Sequence, residues 1–167
     1  NDSLDCGIQG KKVSNVIVED NSLVTIGNDG MDFNGGGNVT IRNNTVHATN
    51  GGAYDGIRLT GVNTASVTGN TVRNTGDDGI VVENGTGTTT VSGNTVYNVD
   101  KGINVNNTVG LNLSGNTVYN VDENGIHVVN SASAQIANNL VGTLGFITGT
   151  GIFVDPSPLT TITGNTV

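Results

Sequence analysis

The sequence contains no tryptophan, one cysteine, one methionine and two prolines among its 167 residues, and only 4% of it is aromatic. With so few rings, a core organised around large aromatic anchors is excluded, and the interior has to be assembled from small aliphatics. The lone cysteine, Cys6, excludes an internal disulfide. Cationic side chains are equally scarce: six Lys and Arg stand against 14 Asp and Glu, for a net charge of -8. That balance argues against nucleic acid or an anionic membrane surface as partner. No apolar run approaches the roughly 18 residues of a membrane-spanning helix, so insertion is not expected either. At 34% hydrophobic and 12% charged, a chain without internal order would read as disordered. Order comes instead from the residue that is plentiful, glycine, with 26 copies.

The glycines fall into a repeat. Seven Gly-Ile-x-Val blocks recur, at Gly7-Ile8, Gly30-Met31-Asp32-Phe33, Gly56-Ile57-Arg58-Leu59, Gly79-Ile80-Val81-Val82, Gly102-Ile103-Asn104-Val105, Gly125-Ile126-His127-Val128 and Gly151-Ile152-Phe153-Val154. Successive block glycines stand 23, 26, 23, 23, 23 and 26 residues apart. This period is too short for two helices and a turn, and it fits one coil of a β-solenoid. A second marker fixes the register: Asn21, Asn44, Asn70, Asn94, Asn116, Asn139 and Asn165 each have an aliphatic two residues on and another three residues before. From glycine to Asn the distance is 14 in six turns and 15 in one, whereas from Asn to the next glycine it runs 9, 12, 9, 8, 9 and 12. Each turn therefore has a rigid segment and one variable corner. Period-two alternation gives three short strands per turn, with the Ile and Val of each block inward and the residue between them outward. The Asn markers usually follow Gly or a second Asn, residues that tolerate the positive φ of a tight bend. Stacked turns let each Asn amide bond the turn above, so this column reads as architecture.

The strings Val-Ser-Gly-Asn-Thr-Val (91–96), Leu-Ser-Gly-Asn-Thr-Val (113–118) and Ile-Thr-Gly-Asn-Thr-Val (162–167), with Asp-Gly-Ile at 55–57 and 78–80, resemble the right-handed parallel β-helix repeats of the pectate-lyase-like superfamily. The resemblance covers essentially the whole chain. It implies an all-β, right-handed parallel β-helix of about seven turns, with residues 1–167 as a single segment. Its implications for function are broad, because the superfamily includes lyases, hydrolases, epimerases, tailspikes and adhesins. Together with the polar, Thr- and Asn-rich, Lys-poor composition, it gives the expectation of an extracellular or cell-surface protein.

Chemistry concentrates on one edge. The residue before each block glycine forms a column, Cys6, Asp29, Asp55, Asp78, Lys101, Asn124 and Thr150, and the outward block residue forms a second, Gln9, Asp32, Arg58, Val81, Asn104, His127 and Phe153. Carboxylates on successive turns would stand about 5 Å apart. That spacing matches the acid pair of a retaining glycosidase, and a two-turn gap near 9.6 Å falls at the edge of the inverting range. Asp29, Asp55 and Asp78, with Asp77 beside them, are also candidate calcium ligands. The resemblance implies a base such as Arg58 or Lys101 acting on an acidic sugar, with substrate along this face. Tyr54, Asp77, His127 and Phe153 are candidate contacts to a polysaccharide. Both enlarged corners, 47–54 and 142–149, belong to the same edge, and insertions on one side of a solenoid often mark a binding surface. Against these readings, Asp and Asn before Gly are ordinary turn formers, and Asp32 beside Arg58 is expected to be a surface ion pair of small value. The hydrolase signature of the superfamily is not met: Gly76-Asp77-Asp78-Gly79-Ile80 is followed one turn later by Lys101-Gly102-Ile103 rather than Gly-His-Gly, and no Arg-Ile-Lys occurs. Tyr97 and Tyr119, at matching positions of adjacent turns, are expected to form a ring ladder or to contact sugar.

If a second copy followed Val167 directly, Asn165 would stand 9 residues before its Gly7, a length the variable corner already uses. No polar terminal repeat or capping helix is evident. The expectation is a structural or adhesive solenoid that stacks on copies of itself or on flanking repeats of a longer chain. The alternative is a fragment of a polysaccharide-active enzyme (lyase, hydrolase or epimerase), or a carbohydrate-binding module, with an acidic groove centred on Asp55 and Asp78.

Overall fold

Alternation of inward aliphatics with outward polar residues produces stacked parallel strands throughout. The computed structural model describes residues 6–49 and 52–167; the opening residues 1–5 and the pair 50–51 of the first enlarged corner lie outside the described residues. The first face is built from strands Ile8–Val13, Ile80–Glu83, Ile103–Asn106, Ile126–Val129 and Ile152–Asp155. The second consists of Val16–Glu19, Thr89–Ser92, Leu111–Ser114, Gln135–Ala137 and Thr161–Thr163. The third runs through Ser22–Ile26, Thr45–Thr49, Thr71–Arg73, Thr95–Val99, Thr117–Val121 and Leu140–Val141.

In the second and third turns the expected separation of the first two strands is lost. They fuse into Met31–Arg42 and Ile57–Thr68, which join the first two faces into one 12-stranded sheet beside the 6-stranded third. Positive φ at Gly35, Gly36 and Gly61 bends the chain at this corner while pairing continues on both sides.

Register stacks like on like. Ile8, Met31, Ile57, Ile80, Ile103, Ile126 and Ile152 pair in one unbroken column, and its central members are fully buried. Val18, Ile41, Val67, Val91, Leu113, Ile136 and Ile162 form the matching column of the second face. Each such side chain contributes about 1.5–3 kcal/mol by leaving water, so a stack of small aliphatics replaces the missing aromatic core. One outward position departs from the pattern: Val81 is only 2% exposed. Its register neighbours Arg58 and Asn104 reach across to Asp55, Glu83 and Asp78, which encloses the valine between turns.

The Asn column is a hydrogen-bonded ladder. In the central turns Asn70 donates its backbone N–H (2.9 Å) and its Nδ2 (3.0 Å) to Asn94 Oδ1, and Asn94 in turn donates its N–H (3.0 Å) and Nδ2 (2.9 Å) to Asn116 Oδ1. Each Nδ2 also reaches back to a carbonyl of the preceding turn, as Asn94 does to Val67 O at 2.9 Å. The left-handed residue of the bend is the one before the ladder, namely Asp20, Asn43, Gly69, Gly93, Gly115, Asn138 or Gly164.

Among the described residues, Thr89 Oγ1 is a buried side-chain oxygen without a hydrogen-bond partner. Thr89→Val keeps the shape and removes the unpaired hydroxyl. It is expected to stabilise by about 1 kcal/mol, a rise of about 2–4 °C in Tm by calorimetry. A fall in Tm would show that the hydroxyl is satisfied in solution.

Candidate functional site

The end of each variable corner delivers the residue before the block glycine to the same point of every turn. There the aspartates act first as backbone acceptors. Asp55 N–H donates to Asp29 Oδ1 at 2.8 Å, Asp78 N–H to Asp55 Oδ1 at 3.2 Å, and Lys101 N–H to Asp78 Oδ1 at 3.0 Å. Asn124 does the same uncharged, accepting Thr150 N–H at 2.9 Å. The second oxygen turns to the outward column: Arg58 Nη1 donates to Asp55 Oδ2 at 2.9 Å, and Asn104 Nδ2 to Asp78 Oδ2 at 2.7 Å. Both oxygens of Asp55 and of Asp78 are therefore engaged, and these side chains are only 4% and 7% exposed.

The cations are engaged as well. Arg58 bridges turns by pairing Nη2 with Glu83 Oε2 at 2.7 Å, and Lys101 Nζ lies 2.8 Å from Glu123 Oε2 and 3.5 Å from Asp78 Oδ1. The expected Asp32–Arg58 pair does not form. The guanidinium finds a buried carboxylate three residues back, in the corner before its strand, and Asp32 instead accepts Gln9 Nε2 at 3.1 Å.

Stacked carboxylates in a dry corner resist ionisation. Burial, then the neighbouring charges of Asp78 and Asp29, push Asp55 up to about 7 despite Arg58. Asp29, Asp77 and Asp100 are also raised, chiefly by burial. Burial works against a charged Lys101, but Glu123 and Asp78 outweigh it and its pKa rises. A carboxyl whose folded pKa exceeds its unfolded value favours the fold fully below about pH 4, and that contribution is lost as pH rises through about 7. Asp55→Asn keeps the Oδ1 acceptor that Asn124 uses and removes the charge. It is expected to flatten the rise in stability between pH 8 and pH 4, read by urea titration at several pH values. An unchanged pH profile would refute the assignment.

The remaining candidates divide into two groups. One carboxylate oxygen from each of Asp55, Asp77 and Asp78 lies within 4.8 Å of the others, and Asp29 groups instead with Cys6 and Asp32. Calcium takes six to eight oxygens; this set offers three carboxylates, of which Asp55 and Asp78 already accept protein donors. Tyr54 lies in the same corner, where its carbonyl accepts Asp77 N–H at 3.0 Å. His127 and Phe153 are brought together further along, their rings stacked at 5.0 Å and 12°. His127 Nδ1 is 3.0 Å from Asn104 Oδ1, and burial, then Lys101, lower its pKa. Tyr97 and Tyr119 form a second stack, 4.8 Å apart and 7° from parallel, on the third face.

Glu83, Asn104 and Glu123 complete the network and were not singled out in the sequence. The signal available was positional, since Asn104 stands in the outward column and Glu123 one place before the column residue Asn124. Two concavities, of about 440 and 390 Å³, open at the last turn, and neither is lined by a carboxylate.

Stacked parallel turns, aliphatic columns and Asn ladders recur along the whole described chain, and the family comparison agrees with that geometry. A model described as a right handed beta helix region matches residues 1–141 and, overlapping it, 52–167. No match was found among curated proteins or solved structures. The chain, whose seven-turn parallel solenoid is laid out above, thus belongs to the right-handed β-helix family.

Proposed function

We propose that this β-helix is a structural segment, a rigid rod of an extracellular or cell-surface protein, and that its acidic edge serves the fold rather than a reaction. One observation carries the reading: Asp55 and Asp78, the best-placed carboxylates, each have both oxygens bonded within the protein and lie almost out of reach of solvent. A general acid or base must come within hydrogen-bond reach of the proton it moves, and here that reach is taken by backbone N–H groups, Arg58 and Asn104. Lys101 and Arg58, the candidate bases, are held as cations by carboxylates. The composition supports the external setting, with few lysines and many Thr and Asn.

Incubation with anionic and neutral polysaccharides, monitored for new reducing ends and for unsaturated products, tests the reading. No turnover is expected from the wild type. Turnover that Asp78→Asn abolishes while leaving the fold intact would overturn the structural reading in favour of a lyase or hydrolase.

A further inference from the structure

We propose that Tyr97 and Tyr119 form an oxidative cross-linking site, at which a haem peroxidase acting with hydrogen peroxide joins the two phenols by a carbon–carbon bond and ties two successive turns together. The site stands on geometry and composition. Its use, as a covalent strap on an external rod, rests on the structural reading above.

Register makes the pair. Tyr97 and Tyr119 stand opposite each other in the parallel strands Thr95–Val99 and Thr117–Val121, between the buried pairs Val96 with Val118 and Val99 with Val121. The valines lock the two strands at the sheet spacing of about 4.8 Å, so the rings leave neighbouring strands side by side. Their centroids are 4.8 Å apart and their planes 7° from parallel. Both residues are half-buried, which leaves an edge of each ring in reach of solvent. On its other side Tyr97 pairs with Arg73, and among the described residues no third ring joins the stack. The site therefore holds one bond and not a ladder of them.

Composition leaves oxidation few other outlets. The chain has no tryptophan, its one methionine, Met31, is fully buried, and Cys6 is its one thiol. The chemistry balances on the oxidant named. Each phenol gives up one electron and its O–H proton, and the peroxide takes both electrons and both protons to become two waters. The two phenoxyl radicals pair their electrons in one bond between ortho carbons, which a twist about each Cβ–Cγ bond brings together. The hydrogen on each coupled carbon leaves as a proton and a proton returns to each phenolic oxygen, so both rings regain aromaticity and the chain has lost two hydrogen atoms. The bond joins residues 22 apart in sequence, one whole turn. A chain with a single cysteine cannot brace its turns by a disulfide, and a bridge of this span restricts the unfolded chain as a disulfide would.

Treating the dilute 167-residue chain with a haem peroxidase and hydrogen peroxide tests this, the monomer fraction being read by intact mass, dityrosine fluorescence and tryptic mapping. The expected product is a monomer lighter by two hydrogen atoms. In it the tryptic peptides 74–101 and 102–167, parted by cleavage at Lys101, stay joined through Tyr97 and Tyr119. Its Tm is expected to rise by about 5–10 °C. Tyr97→Phe and Tyr119→Phe, which keep a ring in each place, should each abolish the product with an unchanged far-ultraviolet circular dichroism spectrum. Tyr54→Phe, at the third tyrosine, should leave it. Oxidation in urea, where the register no longer holds the rings together, should lose most of it. A monomer that keeps its mass or gains oxygen instead, a bridge mapped to Tyr54, cross-linking only between chains, or an equal yield in urea would each overturn the proposal. None of these outcomes bears on the glycan incubation, which decides the structural reading separately.

Discussion

Asn94→Ala is expected to destabilise the fold by about 3–5 kcal/mol, a large share of the 5–15 kcal/mol that holds a typical domain together. The side chain is 1% exposed and sits midway along the stack. Truncation removes the acceptor of Asn70 N–H and Nδ2 and the donor to Val67 O and Asn116 Oδ1. Each buried group left unpaired costs about 1–3 kcal/mol. Asn94→Asp is expected to do no better. It keeps the Oδ1 acceptor but sets a carboxylate oxygen against Val67 O and Asn116 Oδ1, where only a donor fits. Asn98→Gly is the contrast. Asn98 is exposed with φ 56°, and its amide bonds Asn74 Oδ1 at 2.8 Å on the outside of the solenoid. Glycine adopts that φ freely, so the change should stay within about 1 kcal/mol. Urea titrations of the three variants check the ranking, and a loss below 1 kcal/mol for Asn94→Ala would remove the ladder from the list of stabilising elements.

The fold was legible because a solenoid repeats its reasons. One glycine and one Asn per turn fixed both the period and the register, and the structure pairs Ile57 with Ile80 and Val96 with Val118 as the spacing requires. The fused strands Met31–Arg42 and Ile57–Thr68 were not legible, since only three-dimensional pairing shows that a corner at Gly35, Gly36 or Gly61 bends without breaking the sheet. At the acidic edge the sequence put Asp29, Asp55 and Asp78 in one column but could not say which way each oxygen turns. That choice depends on where a backbone N–H one turn away arrives and on how far Arg58 extends, both tertiary facts. Hence the expected Asp32–Arg58 pair gave way to Arg58 with Asp55 and Glu83.

The block glycines answer a different physical demand from the glycines before the Asn ladder, and Gly79→Ala should expose it with a loss of more than about 3 kcal/mol. Gly79 does not have a positive φ, so conformational freedom is not what it provides. A Cβ there would lie 2.7 Å from the Gly102 carbonyl oxygen and would overlap Val96 Cγ1. That same oxygen accepts Ile80 N–H at 3.1 Å, and Gly79 N–H donates to Lys101 O at 2.8 Å. Clearing the methyl forces adjacent turns apart at a point where they are hydrogen-bonded to each other. Adding Val96→Ala should recover only part of the loss, because the backbone oxygen cannot be trimmed. Gly93→Ala, by contrast, has open space around its Cβ, with Gly69 N at 4.0 Å, and a φ of 63°; its cost is the roughly 1–2 kcal/mol of a left-handed alanine. Asp20, Asn43 and Asn138 already stand at that bend in place of glycine, whereas all seven block positions are glycine. Thermal unfolding of the two variants separates the roles: equal losses would mean that the close approach at Gly79 can relax at little cost, and a much larger loss for Gly79→Ala means that the turns of this solenoid approach as closely as a hydrogen atom in place of a methyl allows.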